Sequence, residues 1–443
     1  VTGPDVIAGL RTRTLDLLAE WTPIRSFAGN EAGLKVMAQT LIAHLRDDLG
    51  ATIVADGLKL DPPVVHARIE RGAPVTILLY NMYDVMPATL EGWSVDPFIG
   101  GVIKGPMGPR YVGRGAENNK GPMAAMLVAL GHLIATSALD ANIEILLEGQ
   151  EETGSAALRR YLTAQDTPVR RASTALFPSF CEYGGGPPRI YFGFKGLAQG
   201  RISVESGAWG GPVKPCHASN SPWIANPIWE LVKALAGLDS GSRGKVVLPA
   251  PLLPVLDELT AAFDPQAELS FRATSRFSRD GTPRELLEHV LTAAHLNLAE
   301  VSSSPLGGRS VIPTGASARF DMRLPAGLDP DGEIARLARD CAPAVLSLDD
   351  AYPGCWFDPA ALGFAELAGS YRALGANPQS WPWAIGAAPA YAFAGVSDAF
   401  IIGGLGHGGN AHGPDEFVEL SGIDRFIQSL LLWLPAIAAK GRS

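Results

Sequence analysis

The sequence predicts an α/β protein built on a mostly parallel sheet flanked by helices. Three observations carry that reading. The run at 75–80, Val-Thr-Ile-Leu-Leu-Tyr, has the length and apolar character of a buried strand. Residues 121–137 open with Gly121-Pro122 and continue through Met123 to Leu130, a helix with proline in its first turn. Asn142 to Leu147 is strand-like again. Strand, helix and strand at this spacing give βαβ units. Asp84 and the Glu151-Glu152 pair then fall just past strand ends, where open α/β sheets place their sites.

The other elements follow in chain order. Residues 5–21 and 31–49 carry helical periodicity. After Gly193-Phe194-Lys195-Gly196 the character changes. A helix is expected from Pro227 to Leu238, a proline-rich loop from Pro249 to Pro254, and a helix from Pro283 to Leu296. An alternating strand, Ala318 to Leu324, and a helix from Gly332 to Ala342 come next. The chain closes with a helix near Ala360 to Leu374, a strand at Ala399 to Ile402, a glycine-rich loop and a helix from Ser421 to Leu434. A length of 443 residues suits two domains, or one domain carrying a large insertion.

Composition narrows the function classes. With 47% apolar and 18% charged residues, a large buried core is available and disorder is not expected. A net charge of −9, with no concentration of Lys and Arg, argues against nucleic acid as a partner. No membrane span is expected, because the best apolar run, Leu430 to Leu434, meets Pro435. Val1 to Glu20 alternates polar and apolar residues without the continuous apolar centre of a secretory signal, so the expectation is a cytoplasmic protein. Cys181, Cys216, Cys341 and Cys355 show neither C-x-x-C spacing nor the density of a disulfide scaffold.

Five segments carry candidate chemistry. They are Leu78-Leu79-Tyr80-Asn81-Met82-Tyr83-Asp84-Val85-Met86-Pro87, Gly113-Arg114-Gly115-Ala116-Glu117-Asn118-Asn119-Lys120-Gly121 and Glu148-Gly149-Gln150-Glu151-Glu152-Thr153-Gly154-Ser155, followed by the surroundings of His217 and His412. Together they resemble the zinc exopeptidase and deacylase family that includes carnosine dipeptidases, aminoacylases, glutamate carboxypeptidase and succinyl-diaminopimelate desuccinylase. That family writes the first segment G-H-x-D and the second G-R-G-x-x-D-x-K-G. Here Met82 stands for the histidine and Asn118 for the metal-bridging aspartate.

The resemblance implies a catalytic domain over residues 1–196 and 356–443, and an inserted α/β-sandwich lid over 197–355 that mediates dimerisation. It also implies roles for single residues. Glu151 is the general base and Glu152 a metal ligand, a pairing that suits metal-activated water. His412, in Ala411-His412-Gly413-Pro414-Asp415-Glu416, is a second ligand. His217 is the lid histidine that stabilises the oxyanion, and Asp84 is the acid that orients the family's first histidine. Arg323, in Asp321-Met322-Arg323-Leu324, resembles a substrate-carboxylate arginine; a structural ion pair accounts for it equally well.

Two ligand positions are weak. A thioether is a poor ligand for hard dications, and a neutral amide offers one oxygen without compensating charge. The last family acid has no clear heir: Ser179 stands at its spacing and Glu182 three residues later, while Glu117 is a substitute ligand or, more simply, an exposed loop acid. The set Asn118, Glu152 and His412, with Glu182 as an added candidate, implies one labile divalent cation: manganese, cobalt or zinc. The expected activity is hydrolysis of a C–N bond in a small carboxylate-bearing substrate by a homodimer or higher homo-oligomer. Aminohydrolases that remove an aromatic amine, as in nitroanthranilate hydrolysis, also suit a single-metal site; Tyr80, Tyr83, Trp381 and Trp383 are available as aromatic walls, and core packing explains them equally well. An inactive binding homologue is the third reading.

Overall fold

The computed structural model describes residues 3–182, 186–238, 242–305 and 309–441. They divide into two compact units. The first comprises Val1–Phe192, Phe357–Trp381 and Ala392–Ser443, and the second Gly193–Trp356 and Pro382–Tyr391.

The first unit is built on a six-stranded sheet in the order Thr52–Val54, Val65–Ile69, Asn142–Glu148, Thr76–Met82, Thr174–Pro178 and Phe400–Gly403. The last four strands are mutually parallel, and the first two join antiparallel at one edge. Parallel strands need crossover connections, and the helix Lys120–Ala135 supplies one of them. That helix is buried over nearly all its surface, which explains its apolar residues on every side. It packs between the sheet and the helices Pro4–Trp21 and Leu420–Lys440.

Two sequence expectations change here. The last helix continues through Pro435 to Lys440 instead of stopping before it. Trp433, Leu434, Ile437 and Ala438 are buried on both sides of the proline, and this packing outweighs one lost backbone hydrogen bond. The helix therefore has the length and apolar content to cross a membrane, although 56% of its apolar window is buried inside the fold. The expected helix over 31–49 is α-helical for Glu31–Ala43 and then becomes a π-helical turn, His44–Asp48.

A smaller antiparallel sheet positions the site. Its strands are Gly408–Gly409, Phe417–Glu419, Pro109–Val112 and Gly101–Lys104, with Phe417 opposite Val112 and Glu419 opposite Arg110. This register brings the loop after Gly409 beside the loop after Val112.

The second unit is an antiparallel sheet with helices Pro227–Ala236 and Pro330–Asp340 packed on it. Its main path runs Ser242–Lys245, Ala293–Ser304, Gly315–Leu324, Gly193–Glu205 and Val345–Tyr352. Ile202, Leu231, Phe320, Met322 and Leu337 form its core. The helix expected to reach Leu296 ends at Thr292, and Ala293 begins a strand whose ladder runs along Gly315–Leu324. Helical periodicity carried past the boundary because Ala, His and Leu suit either structure; strand pairing decides it. The expected loop at Pro249 to Pro254 instead turns through Ala250–Leu252 into a helix, Leu253–Ala262, with proline in its first turn.

Candidate active site

Strands Thr76–Met82 and Asn142–Glu148 run parallel, with Met82 opposite Glu148, so both end at one edge of the sheet. The chain leaves the first strand into Asp84 and the second into the short 3₁₀ turn Glu151–Thr153. Asp84, 1% exposed, accepts hydrogen bonds from the backbone N–H of Glu151 at 3.1 Å and of Glu152 at 3.0 Å. It fixes the turn that presents both glutamates.

Asn118 and His412 arrive from the two adjacent loops. The Asn118 amide Nδ2 lies 2.9 Å from Glu152 Oε1 and 3.0 Å from His412 Nε2, and His412 Nε2 lies 3.0 Å from Glu152 Oε2. Glu152 is 7% exposed by its side chain and His412 51%, so the triangle opens outward through the histidine. His412 sits at φ 65°, and Asn410 and Asp415 in the same loop are also left-handed. Asn, His and Asp are the non-glycine residues that tolerate this conformation best.

Glu416 organises the loop that carries Asn118, a role absent from the sequence reading. Its buried carboxylate accepts from Arg114 Nη1 at 2.6 Å and from the backbone N–H groups of Gly115, Glu117 and Asn118 at 3.0, 3.0 and 2.8 Å. It stands in the quoted Ala411-to-Glu416 motif, which was the available signal. Lys120 anchors the end of that loop, donating to the carbonyls of Trp21 and Ile24 at 2.8 and 2.6 Å.

Carboxyl groups crowd around the turn. Burial raises the Asp84 carboxyl to about 7, with Glu152 adding to the rise and the backbone N–H donors opposing it. Burial lifts Glu148 to about 8. Glu151 is pushed well above the usual carboxylate range by burial and by the charges of Glu152, Asp84 and Glu148. Glu117 is held at about 7 by burial and by Glu416. His412 is raised, chiefly by its hydrogen bond to Glu152. An acid-rich pocket of this kind favours a positive charge.

The other side of the pocket is neutral. Met82 is 1% exposed, and its backbone N–H donates to Asn81 Oδ1 at 2.8 Å. The same oxygen accepts from Asn119 Nδ2 at 2.7 Å, and Asn81 Nδ2 donates to Pro178 O at 3.1 Å. Ser179 Oγ reaches Asn119 Oδ1 at 3.4 Å. Glu182, a candidate ligand from sequence, is engaged elsewhere. Arg425 takes both its oxygens, at 2.7 and 2.9 Å, and the Gly406 N–H donates to one of them at 2.6 Å. A glutamate locked in that fork is not available as a ligand.

The structure thus brings Asp84, Asn118, Glu151, Glu152 and His412 together on the first unit. His217 and Arg323 belong to the second. His217 is exposed, with Nδ1 2.8 Å from Ser219 Oγ. Arg323 donates through Nε to Asp321 at 3.0 Å. Tyr80, Tyr83, Trp381 and Trp383, considered as pocket walls, are all buried in the packing at 3% exposure or less.

Among the described residues no three His, Cys, Asp or Glu side chains converge as a metal cage. Glu152 and His412 are two strong donors, and their facing atoms conflict. His412 Nε2 cannot accept from Asn118 while also donating to Glu152. A cation between them would remove that conflict, and the Asn118 amide, turned over, would present its oxygen to it. Glu152, His412 and Asn118 are thus the residues that could hold a cation.

A carboxylate turn at the end of parallel strands is faced by a histidine loop. Residues 78–435 match the family model of peptidase family M20/M25/M40, and the chain belongs to that family, as the five motifs implied. Cys-Gly metallodipeptidase dug1 of Schizosaccharomyces pombe is 27% identical over 320 residues, 67% of this chain and 65% of its own length. Human Beta-Ala-His dipeptidase is 26% identical over 298 residues, 62% of this chain and 56% of its own length. The chain therefore matches less than two thirds of either relative. Among solved structures, the M20 family metallo-carboxypeptidase Sso-CP2 from Sulfolobus solfataricus aligns with a TM-score of 0.81 at 22% identity, covering 96% of this chain and 99% of its own. Dug1p from Saccharomyces cerevisiae aligns at 0.80 and 19% identity, covering 98% of each. At these identities the likeness is one of fold: an α/β catalytic domain with an additional β-rich domain.

Proposed function

We propose that this chain hydrolyses a C–N bond in a small carboxylate-bearing substrate with one labile divalent cation. The convergence of Glu152, His412 and Asn118, with Glu151 presented beside them by Asp84, carries the reading. Glu152 and His412 would hold the ion, and the Asn118 amide oxygen would complete the set. When bound, manganese, cobalt or zinc supplies a Lewis acid that polarises the scissile carbonyl and acidifies water.

The chain's own residues do the rest. Glu151 accepts the proton of the attacking water and returns it to the leaving amine. Its carboxyl meets no hydrogen-bond partner among the described residues and is free for that exchange. A positive charge beside Glu152 opposes the burial and the acid neighbours that push the Glu151 carboxyl upward. Asp84 is a positioning residue. His217 is the proposed oxyanion donor and Arg323 the proposed carboxylate partner, from a lid that also forms the homodimer.

The test is metal content measured together with turnover on dipeptides and N-acylamino acids. About one ion per chain is expected, readily removed by chelators. Glu151→Gln should lower turnover by about 10²–10⁴-fold while keeping the metal. Glu152→Gln should lose both. Two tightly held ions, or a Glu151→Gln protein of full activity, would sink the assignment. Binding of these compounds without cleavage under any cation would favour the inactive homologue.

A further inference from the structure

A cavity of about 340 Å³ adjoins the carboxylate pocket, lined by Pro87, Ala88, Trp93, Arg114, His412 and Pro414 among others. Its walls come from the segment after Asp84 and from the loop that carries His412. Hydrogen bonds hold the two together. Ser94 donates through its N–H and its hydroxyl to Asp415 Oδ1 at 2.7 and 2.8 Å. Arg114 Nη2 donates to Gly413 O at 3.2 Å, and its guanidinium lies 5.1 Å from the centre of the Trp93 ring. A Cβ at Gly92, φ 78°, would come within 3.1 Å of Pro414 Cγ, so the loops approach closely there. The cavity is therefore a built feature.

Two properties identify what it takes. First, His412 belongs both to the cavity wall and to the triangle with Glu152 and Asn118. A group seated in the cavity lies beside whatever His412 helps to hold. Second, two prolines, an alanine and an indole form the apolar part of the wall; Thr89 and the exposed Glu91 also line it, and the charge of Arg114, 2% exposed, is answered by Glu416. The apolar part of the wall suits an apolar group, and the volume is at the small end for ligand pockets, about 300–1,000 Å³. We infer that this cavity is the specificity pocket for an apolar side group of the substrate, best a single flat ring, adjacent to the bond that is cleaved. The inference rests on the hydrolase reading for its substrate class, but its binding test does not depend on turnover.

The experiment uses the full-length Glu151→Gln protein, in which cleavage is suppressed, with N-acetylphenylalanine and N-acetylalanine as probes in titration calorimetry. The phenyl probe should bind at least about tenfold tighter, the discrimination a shaped apolar pocket supplies. Ala88→Trp on the same background should fill the cavity and shrink the ratio to about threefold or less. Thr89→Trp, on the same wall and exposed, repeats the test should Ala88→Trp fail to fold. Equal binding of both probes, no binding of either, or a preference untouched by the filling substitutions would overturn the pocket. Phenyl preference with no C–N cleavage by the parent protein would leave the pocket standing and remove the hydrolase. Cleavage without side-group preference would do the reverse.

Discussion

The two sides of the pocket at the sheet edge are built from opposite chemistry. On one side Glu152, Asn118 and His412 form a polar triangle with edges of 2.9 to 3.0 Å, opening outward through a half-exposed histidine. On the other, the buried Asn81, Met82 and Asn119, with the half-buried Ser179, form a neutral network whose hydrogen bonds are satisfied internally. The charged side has donors in conflict and gains from a cation. The neutral side offers only amide and hydroxyl oxygens that are already engaged, and inserting an ion there would break bonds already made. The contrast is the basis for proposing one ion and not two.

The comparison can be broken most severely at Glu416, which holds the charged side in place. Glu416→Ala removes the acceptor of Arg114 and of three backbone N–H groups, leaving a buried guanidinium uncompensated. Denaturant unfolding should show a loss of about 3–5 kcal/mol. A loss below 1 kcal/mol would mean that the loop does not depend on this carboxylate.

The next effect lies in pH dependence. Glu148 titrates at about 8 in the fold, against an ordinary 4.5, because it is buried. Between those values the folded protein holds a proton that the unfolded chain releases, so this group makes stability fall as pH rises from about 4.5 to about 8. Glu148→Gln keeps the shape and removes that titration. Unfolding midpoints of chelator-treated protein at pH 5, 6, 7 and 8 should slope less for the variant, and an unchanged slope would refute the assignment.

Asn118→Asp sharpens the comparison from the charged side. The added carboxylate should tighten cation binding about tenfold, roughly 1.4 kcal/mol. Turnover should fall, because the charge balance around Glu151 changes. Tighter metal with faster turnover would mark Asn118 as a relic. Met82→Leu, on the neutral side, is the mildest change. It should cost less than about 1.5 kcal/mol and leave metal content unaltered. Loss of metal in that variant would give Met82 a part in the charged side.

The sequence by itself determined the family, the α/β class and the positions of Asp84, Asn118, Glu151, Glu152 and His412. Those residues sit at strand ends or in glycine-framed loops, where short-range pattern and motif coincide. It also placed a thioether, Met82, and a neutral amide, Asn118, where the family has a histidine and an aspartate, since donor chemistry is a property of the side chain alone. Only the tertiary structure decided what pairs across hundreds of residues. Glu182 is consumed by Arg425, from a helix 243 positions away, and nothing near Glu182 in sequence announces that fork. Glu416 reaches back 298 positions or more to shape the loop of Asn118. Pro435 stays inside a helix and Ala293 turns into a strand because burial and ladder pairing outweigh local propensity. The cavity beside His412 exists only where two distant loops are clamped together, so no local pattern could disclose it.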